Sequence, residues 1–90
     1  MTITYPDPLE IVVIDPGVYA PQHRLLIEAL QKTNLAPGRD VLDLCTGSGV
    51  VAVAAAQLGA LSVTAFDICA RAVGCSRANA ESAAVQVNVQ

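Results

Sequence analysis

One junction constrains this chain more than any other feature. Asp43-Leu44-Cys45-Thr46-Gly47-Ser48-Gly49 joins a short strand-like run, Val-Leu-Asp-Leu within 40–45, to a stretch from Val50 to Leu58 that is apolar on nearly every side. Glycines at this spacing make a tight turn, because they reach left-handed backbone angles at no steric cost. A helix that is apolar all round must be covered, so the turn has to deliver it into the middle of a layered structure. Gly59 is expected in the left-handed region at the end of that helix, and Leu61 to Phe66 alternates as a strand that runs into Asp67. Residues 70–84 are Ala-rich, with Ala72, Val73, Ser76, Ala80 and Ala83 on a narrow face, and read as a second helix despite Gly74. Val85, Val87 and Val89 read as a third strand. Strands and helices alternating over short connections predict an α/β fold of parallel β-α-β units, with about three strands.

Upstream of the junction the signals are shorter. Ile11-Val12-Val13-Ile14 is a β-branched run closed by Asp15-Pro16-Gly17, which predicts a strand and then a loop. Between Gln22 and Lys32 the apolar residues Leu25, Leu26, Ala29 and Leu30 recur at helical spacing, and Thr33-Asn34 with Pro37-Gly38 supply the stop. Ninety residues, 53% of them hydrophobic and 14% charged, make one small domain that is far too apolar to be disordered. Residues 1–20 are expected as an N-terminal strand and loop segment, followed by a single unit over 21–90.

The same numbers narrow the function. Eight acids against five bases give a net charge of −3 with no basic cluster, so the electrostatic footprint of nonspecific nucleic-acid binding has no support. The longest apolar stretch, Val50 to Ala56, is far shorter than the ~18 residues of a membrane span, and Met1 to Asp7 has neither the basic start nor the apolar core of a secretory signal. Cys45, Cys69 and Cys75 form an odd set without a Cys-x-x-Cys pair, which fits reduced thiols and a cytoplasmic location. His23 has no ligand partner at metal spacing, and no metal site is expected.

The chemistry therefore concentrates at the junction. Glycines after a strand let a ligand approach the backbone closely, and the helix that follows offers its first, unpaired N–H groups to an anionic or carboxylate-bearing molecule. Asp67, at the end of the next strand, can accept hydrogen bonds from two ribose hydroxyls. A lone Gly-x-Gly can be nothing but a turn; strand, acid, glycines, helix, strand and acid in succession read as a nucleoside pocket. A dinucleotide alternative remains open, because Gly47-Ser48-Gly49-Val50-Val51-Ala52 fits G-x-G-x-x-A and Asp67 lies at about the right distance for NAD. Against it stand Asp43 inside the strand and Cys45-Thr46 ahead of the first glycine.

Asp43-Leu44-Cys45-Thr46-Gly47-Ser48-Gly49 resembles the first motif of class I S-adenosylmethionine-dependent methyltransferases, in the form carried by HemK-like protein-glutamine methyltransferases and their small-domain relatives. Val63 to Ile68, with Ala72-Val73 and Arg77-Ala78-Asn79-Ala80, is similar to that family's second motif and the helix after it. Gly17 to Pro21 and Leu25 to Leu30 also resemble its approach to the catalytic domain. The resemblance implies a Rossmann-like class I methyltransferase fold, here incomplete, with 21–90 as the N-terminal half of the domain. It implies S-adenosyl-L-methionine as cofactor, held by Asp43, Cys45, Thr46, Gly47 and Gly49 around its methionine part, by Asp67 at the ribose and by Ile68 beside it. The acceptor it implies is a protein glutamine or a nucleic-acid amino group, with a release-factor-like protein as partner.

The family's Asn-Pro-Pro-Tyr motif, which grips the acceptor, has no counterpart here: all five prolines fall at or before Pro37. No catalytic residue is assigned, and a truncated form that retains the cofactor half is expected. Gln22-His23-Arg24 lacks the family's acid and Ser/Thr pair, and Cys69 stands where a helix-capping Ser or Asp is usual. A strand left unpaired beside Leu42–Leu44 would invite self-association, and a catalytically inactive subunit that folds only against a partner is the third reading.

Overall fold

The computed structural model describes residues 2–4, 11–13 and 24–90. Two short strands, β1 (Thr2–Thr4) and β2 (Ile11–Val13), pair antiparallel. The strand expected at Ile11 is present, whereas its partner at Thr2–Thr4 was not expected; three residues carry too little pattern to reveal it. The loop expected after Ile14, with Gln22 and His23, lies outside the described residues.

The main body is a three-stranded parallel sheet in the order β3 (Asp40–Leu44), β4 (Ser62–Phe66), β5 (Asn88–Val89). Val41 pairs with Val63, Asp43 with Ala65, and Ala65 in turn with Val89, so these side chains share one face of the sheet. Ala52 and Ala55 of α2 (Val50–Gln57) cover that face, with Val73 of α3 (Ala70–Ser82) beside them. Five of the eight residues of α2 are buried, as a helix apolar all round requires. It stops at Gly59, whose φ of 95° is open to glycine and strained for other residues.

Three expectations need correction. Among the described side chains of α1 (Arg24–Thr33) the buried one is Ile27, outside the predicted stripe, while Leu26 and Ala29 face solvent and Leu30 is half-buried. The helix docks on α2 through Ile27 against Val50 and Ala54, and the contact with one neighbouring helix, not the helix's own periodicity, selects the buried side. The third strand is only Asn88–Val89; Val85 and Val87 precede it without pairing, both half-buried, with Val87 packed against the core. On α3, Asn79 is buried along with Ala72, Ser76 and Ala80, although it was not counted on the buried face.

α2 and α3 lie against the Val63–Ala65 face, and α1 packs on α2. Among the described residues nothing covers the opposite face: Leu42, Leu44 and Phe66 are 62%, 63% and 46% exposed, and β3 is an edge strand. Among the described residues no helix is long and apolar enough to cross a membrane.

Candidate functional site

The carboxyl ends of β3 and β4 lie side by side, because Leu44 and Phe66 are the last paired residues of the two strands. Thr46 extends the ladder by one bond, donating its N–H to the Phe66 carbonyl at 2.9 Å. Cys45 then takes φ 57°, Gly47 58° and Gly49 82°, and three left-handed residues in five turn the chain sharply into α2. Glycine adopts such angles freely, whereas Cys45 does so at a cost of about 1–2 kcal/mol. Gly49 is the N-cap of α2; it closes the turn by donating to the Thr46 carbonyl at 2.9 Å and accepts from Val53 N–H at 2.8 Å.

The two acids have distinct positions. Asp43 is half-buried, and its Oδ2 accepts from the hydroxyl of buried Thr46 at 2.8 Å. Asp67, also half-buried, bridges two elements: Oδ2 accepts from Gly47 N–H at 3.0 Å and Oδ1 from Cys69 N–H at 2.9 Å. Each carboxylate oxygen has about two acceptor positions, so Asp67 keeps one on each oxygen for a ligand that donates two hydroxyls. That capacity, beside a turn without Cβ atoms at Gly47 and Gly49, fits a nucleoside with a ribose diol. Cys45 is exposed at the same edge, and Ile68 stands 96% exposed next to Asp67.

The predicted residues thus gather at one end of the sheet. Thr46 joins Asp43, and Gly47 joins Asp67 across 20 residues of sequence. The direct bond from the glycine turn to the second acid was not readable from spacing, since it depends on the strand register. Two further residues reach the turn from α3: Ser76 Oγ donates to the Gly47 carbonyl at 2.7 Å, and Asn79 Nδ2 to the Ser48 carbonyl at 2.8 Å. Their signal in the sequence was two polar residues three apart on the buried side of an Ala-rich helix.

A cleft of about 410 Å³ opens at the other end of the strands, lined by Leu61, Ser62, Val63, Gln86, Val87 and Asn88. It holds no ionisable side chain, and its hydroxyl, Ser62 Oγ, is engaged with Asp40 Oδ1 at 2.6 Å. The chemistry therefore stays with the acids and the glycine turn. Among the described residues no group of three or more His, Cys, Asp or Glu could hold a metal ion.

The ribosomal protein L11 methyltransferase (PrmA) family model matches residues 6–90. The ribosomal protein L11 methyltransferase of Shewanella baltica (strain OS185) is 43% identical over 82 residues, covering 84% of this chain and 28% of that protein. The chain thus spans less than a third of the length of that relative. Among solved structures, the ribosomal protein L11 methylase of Lactobacillus delbrueckii subsp. bulgaricus matches with a TM-score of 0.72 and 31% identity, over 86% of this chain and 42% of its own. The 16S rRNA N2 G1207 methyltransferase of T. thermophilus, in complex with AdoMet and guanosine, matches with a TM-score of 0.82 and 26% identity, over 98% of this chain and 26% of its own.

The expected Rossmann-like α/β fold holds, and so does the resemblance to class I methyltransferases. The HemK-like branch of that class gains no specific support, because the matching family is a different one, and the dinucleotide alternative gains none. Short motifs around a cofactor are common to the whole class, which is why they reached the class and not the branch. Residues 6–90 and the fold they form place this chain in the ribosomal protein L11 methyltransferase family, within the class I S-adenosylmethionine-dependent methyltransferases.

Proposed function

We propose that this chain supplies the S-adenosyl-L-methionine-binding part of a methyltransferase whose acceptor is ribosomal protein L11. The observation that carries the proposal is the joint between glycine turn and acid, Gly47 N–H to Asp67 Oδ2 at 3.0 Å, at the carboxyl ends of adjacent parallel strands. When bound, the cofactor supplies an electrophilic sulfonium methyl. Asp43, Cys45, Thr46, Gly47 and Gly49 hold its methionine part, Asp67 accepts the ribose hydroxyls, and Ile68 gives an apolar flank beside them. The family match supports a protein acceptor over a nucleic-acid amino group; a glutamine acceptor rests on the HemK-like resemblance alone. Gripping and orienting the acceptor, which supplies much of the rate of such a transfer, falls to residues that no motif of this chain provides. A cytoplasmic location belongs to the same proposal, supported by the odd set of cysteines, Cys45, Cys69 and Cys75, without a Cys-x-x-Cys pair.

Titration calorimetry on the 90-residue chain tests the cofactor. S-adenosylhomocysteine should give saturable heat where NAD gives none, and Asp67→Ala should weaken binding by at least about tenfold, or about 1.4 kcal/mol. Preferential binding of NAD, or a folded chain that binds neither, would overturn the proposal.

A second reading, favoured by the bare face at Leu42, Leu44 and Phe66 and the open edge of β3, is that the chain works only in association. A second copy paired through β3 is the partner this geometry suits best, ahead of the release-factor-like protein that the HemK-like resemblance implied. A concentration-independent monomer in sedimentation velocity would refute it.

A further inference from the structure

We propose that Ser76 and Asn79 are positioning residues, which set the affinity of the glycine turn for its cofactor from a helix that lies behind it. The inference rests on the cofactor reading above and deepens it.

Ser76 and Asn79 are 1% and 6% exposed, one turn apart on α3. Their bonds go to consecutive carbonyls, those of Gly47 and Ser48, across 29 and 31 residues of sequence. In a trans peptide the C=O and the following N–H point in opposite directions. Fixing the Gly47 carbonyl toward α3 therefore turns the Ser48 N–H away from it, and fixing the Ser48 carbonyl sets the Gly49 N–H, which closes on Thr46. Asp67 holds the third point through Gly47 N–H.

The contact is close as well as polar. A Cβ built on Gly49 would lie 3.0 Å from both Cβ and Oγ of Ser76. The turn is thus seated directly on this side chain. The turn's own closing bond, Gly49 N–H to the Thr46 carbonyl, leaves the peptides between them to outside partners: Ser48 Oγ is buried with no partner among the described residues, and Gly47 and Gly49 could each adopt several other conformations at little cost. Without the clamp the turn would populate alternatives, and the apparent affinity would fall by the fraction that remains competent.

The test compares Ser76→Ala and Asn79→Ala with Ala72→Gly and Ala80→Gly, which weaken the same helix from buried positions that make no bond to the turn. S-adenosylhomocysteine affinity should fall about tenfold in each clamp variant, the loss expected of one such hydrogen bond, and should stay within about twofold of the parent in the two controls. Ser76→Cys, which fills nearly the same space with a weaker donor, should bind with an affinity between those of Ser76→Ala and the parent. Equal affinity in clamp variants and parent, or an equal loss in the controls, overturns the clamp and leaves the cofactor reading standing. If the parent itself binds no S-adenosylhomocysteine, the cofactor reading falls instead, and amide hydrogen exchange decides the clamp. Exchange at 47–49 should then accelerate in Asn79→Ala and not in Ala80→Gly; unchanged exchange would overturn it.

Discussion

Gly49 illustrates how tightly single positions are held. Its φ of 82° is costly for any residue with a Cβ, and that Cβ would meet the Ser76 side chain at 3.0 Å. Gly49→Ala combines a left-handed cost of about 1–2 kcal/mol with overpacking against α3, so it should destabilise by at least about 2 kcal/mol in urea unfolding. Cys69 presents the opposite case. It is the N-cap of α3 with φ −85° and ψ 120°, and it makes no side-chain hydrogen bond to the helix. Cys69→Ser puts a capping hydroxyl there and should raise stability by about 0.5–1 kcal/mol, read as a higher melting temperature. The glycines, the acids and the weak cap were all legible in the sequence, because backbone demands and residue chemistry are local. Ser76 and Asn79 were not legible as partners of the turn, since a polar residue on a helix declares nothing about which carbonyl it will meet.

At the scale of elements, α2 holds the pieces together. It packs on β3 and β4 with one side, while its Val50 and Ala54 receive Ile27 from α1. Ile27 is the main buried anchor of α1 among its described side chains, so Ile27→Ala should cost about 2–4 kcal/mol and loosen α1 first. Faster amide exchange in 24–33 than in β4 would report it. The helix ends were readable: Asn34 at φ 56° and Gly59 at φ 95° terminate α1 and α2 where the stop signals stood. On α1 the burial of Ile27 and the exposure of Leu26 and Ala29 were not legible, because apolar residues at helical spacing offer more than one plausible stripe and only the neighbouring helix chooses between them. The third strand shrank to two residues for a related reason: Val-x-Val-x-Val supplies the alternation, but strand pairing with β4 begins only at Thr64–Asn88.

For the whole molecule, the unequal faces of the sheet dominate. Parallel sheets are normally covered on both faces, and here Leu42, Leu44 and Phe66 remain largely in solvent. Exposed apolar rows beside an open strand edge favour association. Leu42→Lys with Leu44→Lys should shift the chain toward monomer in sedimentation velocity at a fixed protein concentration, while S-adenosylhomocysteine affinity changes by less than about threefold. These side chains face away from the helices that seat the turn, so the two properties should separate. Saturating ligand at about 100 times its dissociation constant should add about 2.7 kcal/mol to unfolding stability, a gain independent of the bare face.

The sequence by itself determined the order of elements, the strand-to-helix turn and the class of cofactor chemistry, because hydrophobic period, glycine backbone freedom and carboxylate placement act over a few residues at a time. Tertiary structure decided the rest: that Asp67 caps the Gly47 amide, that α3 reaches back to two carbonyls of the turn, which side of α1 is buried and which face of the sheet stays open. Each of these joins residues 20 or more apart, or chooses between faces that a local pattern leaves equivalent, and such choices are made only when the strands fix their register and the helices find what they pack against.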